Sequence, residues 1–154
     1  GSIITPVTPM LSSYIIEVKE ATPQLIQEIN TLLAQLSTRK PQIDVTILQQ
    51  IIDSPDTHLY IYYKEGKAAG MLTLASYLAP TGRKWWIEDV VVDERYRGCG
   101  IGQTLVENAA LEVHNHGGGS LLLTSRPSRE AANRLYQRAG FEKRETNVYK
   151  KTVE

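Results

Sequence analysis

Apolar and polar positions change period several times along the chain, and each change marks an element. Tyr14 to Val18 alternates like a strand. Thr22-Pro23 then supplies an N-cap hydroxyl and a proline at the first helical position. Leu25, Ile26, Ile29, Leu32, Leu33 and Leu36 follow at helical spacing. Pro41 blocks continuation, and a second short helix is expected over Asp44 to Ile52 with Asp44 as its cap. From His58 the period falls to two. His58 to Lys64 is rich in tyrosine and isoleucine, Glu65-Gly66 supplies a turn, and Lys67 to Tyr77 completes a predicted β-hairpin. Ala79 to Arg83 is a further turn, and Trp85 to Val92 a strand ending in three valines. Gly98 to His116 returns to helical spacing, with Ile101, Leu105, Val106, Ala109, Ala110 and Val113 on one face, until Gly117-Gly118-Gly119 stops it. Leu121 to Leu123 reads as a short buried strand, Ser128 to Arg138 as a helix closed by Gly140, and Phe141 to Thr152 as one or two final strands. The order β-α-α-β-β-β-α-β-α-β is an α/β sandwich whose later strands are joined through helices.

At 154 residues the chain suits one domain with a real core, expected over 14–154 behind a flexible N-terminal arm over 1–13. Gly1-Ser2 reads as a remnant of expression cloning. Lys plus Arg and Asp plus Glu both number 17, so the net charge is zero, and neither nucleic acid nor an anionic membrane is expected as a partner. Cys99 is the only cysteine, which excludes an intrachain disulfide and a cysteine-based zinc site. No apolar run approaches the ~20 residues that span a bilayer, and the N-terminus lacks the features of a signal peptide. A cytoplasmic location is the default expectation. His114 and His116 close a helix, where histidine complements the dipole. They make a poor metal pair, and no metal is expected.

The informative segment is Val90-Val91-Val92-Asp93-Glu94-Arg95-Tyr96-Arg97-Gly98-Cys99-Gly100-Ile101-Gly102-Gln103, where a strand turns into a helix. Gly98, Gly100 and Gly102 lack Cβ atoms, so the main chain can curl tightly and approach a ligand. First-turn N–H groups and the helix dipole together make an anion site suited to phosphate. Arg95 and Arg97 add charge and hydrogen-bonding forks. The Rossmann fingerprint fails because Gln103 stands three residues after Gly100, and the Walker pattern fails for want of a lysine.

These residues resemble the GCN-five-related N-acetyltransferase (GNAT) family. Its signature, Arg/Gln-x-x-Gly-x-Gly/Ala, is matched by Arg95-Tyr96-Arg97-Gly98-Cys99-Gly100. A second family segment, A-x-x-L-Y-x-x-x-G-F, is matched from Ala132 to Phe141. The resemblance implies a single-domain mixed sheet of about six or seven strands flanked by about four helices. It implies acetyl-coenzyme A as co-substrate, with Val90, Val91 and Val92 pairing with the pantetheine arm. Arg95, Arg97, Gly98, Cys99, Gly100, Ile101, Gly102 and Gln103 would hold the pyrophosphate, with Asn133 and Tyr136 near the thioester end. It also implies that the Val90 and Leu121–Leu123 strands splay apart, and a homodimer is plausible for the family.

Acetyl transfer to a primary amine by direct attack in a ternary complex needs a base, because an alkyl amine is mostly charged at neutral pH. Glu88 and Asp89 precede the valines, and only one of two successive strand residues can face the acceptor. Glu88 is the expected base and Asp89 the fallback, since a bulge would exchange their faces. The alternative for both is a surface strand end or a salt bridge with Arg83 or Lys84. A main-chain N–H near Val90 or Val91 would hold the oxyanion, and Tyr136 is the family-like acid for the thiolate. Cys99 occupies a variable motif position and is not expected to react, and Trp85-Trp86 is expected to be buried or at an interface. A small amine metabolite is the expected acceptor. A protein lysine or N-terminus, or a non-catalytic coenzyme A sensor, are the alternatives.

Overall fold

Two hydroxyl-or-carboxylate caps start the first two helices. Thr22 Oγ1 accepts from the Leu25 N–H at 3.1 Å and opens α1 (Pro23–Leu33). Asp44 Oδ1 accepts from Ile47 at 2.9 Å and opens α2 (Val45–Asp53). The computed structural model describes residues 12–154, so the arm expected over 1–13 lies almost wholly outside the described residues. The chain forms two compact units, one ending at Thr124 and one spanning Ser125–Glu154.

The first unit is built on one sheet in the order β1-β2-β3-β4-β5. Its strands are β1 (Ser13–Glu17), β2 (Thr57–Lys64), β3 (Lys67–Ala79), β4 (Gly82–Val92) and β5 (Ser120–Leu122). The first four pair antiparallel, and β5 joins β4 in parallel after the crossover helix α3 (Ile101–Asn115). One face of the sheet, including Ile61, Met71 and Val91, packs with Ile29, Leu32 and Leu48 of α1 and α2. Register places Leu72, Leu74 and Ile87 on the opposite face. All three are buried there, as are Leu105, Val106 and Ala109 of α3. Gly70 lets α3 come close, because a Cβ there would stand 3.0 Å from both Ile101 Cγ2 and the Val91 carbonyl oxygen.

The second unit holds α4 (Glu130–Arg138), ended by Gly140 at φ +94°. Among the described residues the chain is α/β, with four α-helices and one mixed sheet of five strands rather than six or seven. Residues 141–154 form no strand. A strand requires a neighbour to complete its ladder, and the charged run Glu142-Lys143-Arg144-Glu145 offers little apolar surface to secure one. No helix among the described residues is long and apolar enough to cross a membrane.

Candidate active site

The end of β4 breaks its own alternation. Thr73 of β3 pairs with Glu88 and Met71 with Val91, so Asp89 and Val90 together oppose the single residue Leu72. Asp89 takes φ +51°, a left-handed conformation that aspartate tolerates better than most residues. This β-bulge has a consequence for facing. Glu88 and Val91, three apart, lie on the same face of the sheet, whereas a regular strand would send them to opposite faces. The bulge anticipated as the fallback is therefore present, and it begins at Asp89, leaving Glu88 on its regular face. Both carboxylates are exposed. Partial burial, and then the charge of Asp89, push the Glu88 carboxyl above the usual carboxylate range. Neither forms an ion pair with Arg83, whose Nη1 instead donates to Ser76 Oγ at 2.9 Å and lies 3.6 Å from Asp56 Oδ1.

On its other edge β4 is paired only briefly. Lys84, Trp85 and Trp86 match Ser120, Leu121 and Leu122, and the ladder stops there. From Ile87 through Val92 the edge towards β5 has no strand partner among the described residues. A row of main-chain N–H and C=O groups is thus presented beside the bulge, the kind of edge to which an extended amide chain can add.

The loop after β4 is organised by a residue that the sequence reading passed over. Asp93 is 2% exposed and caps a 3-10 turn over Glu94–Tyr96. Its Oδ1 accepts from the Arg95 N–H at 2.9 Å and from Arg95 Nε at 3.1 Å, and Oδ2 accepts from Nη2 at 3.1 Å. Arg95, expected to bind phosphate, has its fork committed to this carboxylate. That guanidinium, against the opposing effect of burial, holds Asp93 below the usual carboxylate range. Gln35 fastens the same turn to the segment after α1 by accepting from the Glu94 N–H at 2.9 Å. The Tyr96 ring lies 5.5 Å from Arg95 Cζ and 5.9 Å from Lys64 Nζ, which keeps two cations beside the loop. Asp93 could have been read from its position, a capping residue at a strand end two before an arginine.

Gly98 and Gly100 take φ +82° and +78°, and a Cβ at either would meet nothing within 4 Å. Gly100 is the N-cap of α3 and supplies no side-chain hydrogen bond. The first-turn N–H groups of Ile101, Gly102 and Gln103 therefore point from a 15-residue helix with no side chain capping them. Ile101 and Gly102 are buried against the sheet, while Gln103 Nε2 donates to Glu107 at 3.0 Å. Cys99 is an exposed free thiol, and Arg97 is exposed at the end of the 3-10 turn. These features fit a diphosphate: open main-chain donors, a positive dipole end, adjacent cations, and no Cβ in the way.

Asn133 and Tyr136 lie on α4 in the second unit. Asn133 Nδ2 donates to the Arg126 and Arg129 carbonyl oxygens at 2.9 and 2.8 Å, closing the turn that begins the helix. The half-buried Tyr136 ring meets Phe141 edge-on with centroids 6.2 Å apart. Burial raises its phenol, with Arg129 acting in the opposite sense.

Comparison with known proteins bears on the family and the fold. The model of the acetyltransferase (GNAT) family matches residues 24–141. A search of curated proteins finds no match. Among solved structures, an aminoglycoside acetyltransferase from an uncultured soil metagenomic sample, in complex with trehalose, superposes with a TM-score of 0.82 at 19% identity, covering 92% of this chain and 97% of the other. A transcriptional regulator from Bacillus halodurans C-125 gives 0.78 at 24% identity, covering 92% and 100%. AAC(6')-Iy, in complex with the bisubstrate analogue CoA-S-monomethyl-acetylneamine, gives 0.76 at 17%, covering 92% and 99%. At these identities the structures speak for the fold. The family match spans most of the chain, and the chain belongs to the acetyltransferase (GNAT) family as an acyl-CoA-dependent N-acetyltransferase.

Proposed function

We propose that this protein moves an acetyl group from acetyl-coenzyme A directly to the primary amine of a small metabolite, both substrates being bound together. The observation that carries the reading is the helix start at Gly100, where open N–H groups stand at the end of a strand whose neighbouring edge is unpaired. Bound acetyl-coenzyme A would supply an activated acyl group as a thioester. The residues of this chain do the rest. Ile101, Gly102 and Gln103 hold the diphosphate through their main-chain N–H groups, with Arg97 adding charge. The edge of Val90–Val92 pairs with the extended pantetheine amides. The bulge leaves main-chain groups of Asp89 and Val90 outside the β3 ladder, where a fixed N–H dipole polarises the reacting carbonyl without reorganising. Glu88 accepts the amine proton, directly or through a water. Its raised pKa brings it closer to neutrality and makes the transfer less uphill. Tyr136, a phenol that is neutral at working pH and that burial raises further, would protonate the departing thiolate. A small acceptor is favoured by the similarity in fold to acetyltransferases named for aminoglycosides.

The test is release of free thiol from acetyl-coenzyme A against a panel of small amines and lysine peptides. Glu88→Gln should lower turnover by about 10²–10⁴-fold at neutral pH, with most of the loss recovered at high pH where free amine is abundant. An equal loss at every pH would remove Glu88 as the base. Cofactor binding with no turnover on any amine would remove the catalytic reading.

A further inference from the structure

The cover that α1 and α2 give to one face of the sheet thins out along β3. Met71, packed beneath those helices, is 2% exposed, whereas Tyr77, further along the same face, is 52% exposed. Register puts three β4 side chains on that stretch: Glu88 stands opposite Thr73, Trp86 opposite Ala75 and Lys84 opposite Tyr77. On the acetyl-transfer reading above, on which this rests, we infer that Trp86 and Lys84 select the acceptor. Its amine lies at Glu88, an aromatic or apolar middle lies on Trp86, and an acidic group at its far end meets Lys84.

The regular alternation of β4 before the bulge produces this arrangement. Lys84, Trp86 and Glu88 share one face, while Trp85 and Ile87 turn to the α3 face and are buried there. Trp85 is 2% exposed, and its Nε1 meets no hydrogen-bond partner among the described residues. Trp86 is only half-buried. Ala75 directly across from it is short, and Thr73 across from Glu88 is small, so the indole stands above β3 on the side towards Glu88. Its half-open ring, next to the proposed base, offers stacking surface to the amine that the base serves.

Lys84 supplies the charge at the other end. It is half-buried, and among the described residues no carboxylate pairs with it. The salt bridge to Glu88 or Asp89 that the sequence allowed is not made. Its strand partners Tyr77 and Ser120 bring no countercharge. Four residues of strand set the Lys84 and Glu88 Cα atoms about 13 Å apart, and both side chains are long enough to lean inward on a shorter ligand. One face of β4 is thus polarised, with an ammonium at one end and a carboxylate at the other. An amine that is also an acid fits this polarity in one orientation only. A diamine or a polycation would bring its second charge against Lys84 as a like charge.

The test holds chain length constant and changes only the charge of the tail. Wild-type kcat/KM, at saturating acetyl-coenzyme A, is measured for ε-aminocaproate, hexylamine and hexamethylenediamine. The aminocaproate should exceed hexylamine by about tenfold, the worth of a charge-assisted hydrogen bond, and the diamine should be the poorest. Lys84→Met should bring the first ratio close to one, and Lys84→Glu should invert the series in favour of the diamine. Trp86→Leu should lower the preference for phenethylamine over hexylamine several-fold, as loss of ring stacking does. The wild-type series already decides the tail charge, so a variant that fails to fold leaves the test standing. Equal kcat/KM across the three amines, a preference for the diamine, or a carboxylate preference that survives Lys84→Met would overturn the role of Lys84 and leave acetyl transfer in place. An unchanged ratio in Trp86→Leu would remove the platform. Turnover of none of these amines, with coenzyme A still bound in calorimetry, would instead take down the catalytic reading and this one with it.

Discussion

The two ends of α3 are both rich in glycine, and they do opposite things. At the C-terminus, Gly117 N–H donates to the His114 oxygen at 3.1 Å and Gly118 N–H to the Val113 oxygen at 2.9 Å. This is the paired arrangement that satisfies the last carbonyls of a helix from within the chain. Gly117 and Gly118 take φ +103° and +83° to make it. At the N-terminus, Gly98 and Gly100 adopt the same left-handed region, yet no side chain meets the first-turn N–H groups. Three glycines therefore mark the proposed binding loop at one end and a stop signal at the other. The difference lies in where the main-chain groups go, and in the charge around them: Arg95, Arg97 and Lys64 cluster near one end only.

That contrast can be broken experimentally. Gly100→Asp places a carboxylate among the open donors and should lower coenzyme A affinity by about a thousandfold, read by calorimetry, since like charges at a binding site cost several kcal/mol. Unchanged affinity would count against the diphosphate site itself. Gly70→Val should cost about 1–3 kcal/mol in denaturant unfolding, because the Val91 carbonyl at 3.0 Å is backbone and cannot step aside. It should also weaken coenzyme A binding by moving the start of α3. Asp93→Asn should cost about 1–2 kcal/mol near neutral pH. The folded pKa of Asp93 is depressed, so its contribution is present above the unfolded carboxylate range and is lost as pH falls through the lower folded value. The stability gap between variant and wild type should accordingly narrow in acid, and a gap constant with pH would sink the assignment. Gly117→Ala should have the smallest effect, about 1 kcal/mol of stability from the left-handed residue. Coenzyme A affinity should not change, which is what separates the two glycine ends.

Much of the fold was legible because its signals are local. Thr22-Pro23 and Asp44 act as the caps their residue types suggest, and the hairpin turns at Glu65-Gly66. The strand-to-helix turn at Arg95–Gly102 is also where residue types alone placed it. Less was legible where pairing decides. Phe141 to Thr152 carries alternation enough to suggest a strand, but alternation does not supply a partner. Arg95 looks like a phosphate fork in the sequence, and only the buried neighbour two residues before it reveals a structural commitment. The bulge at Asp89 leaves no periodic trace, because inserting one residue shifts a pattern already blurred by three valines.

By itself the sequence determined the element order as far as α4, the caps that start α1 and α2, and the glycine-opened main chain after β4, all of which follow from backbone preferences within a few residues. Tertiary structure decided which face Glu88 shares, what Arg95 holds, where the β4–β5 ladder ends, and that Trp85 buries a donor with nothing to meet it. These depend on contacts between residues distant in the chain, and a one-residue change of register reverses a side chain without altering any local preference.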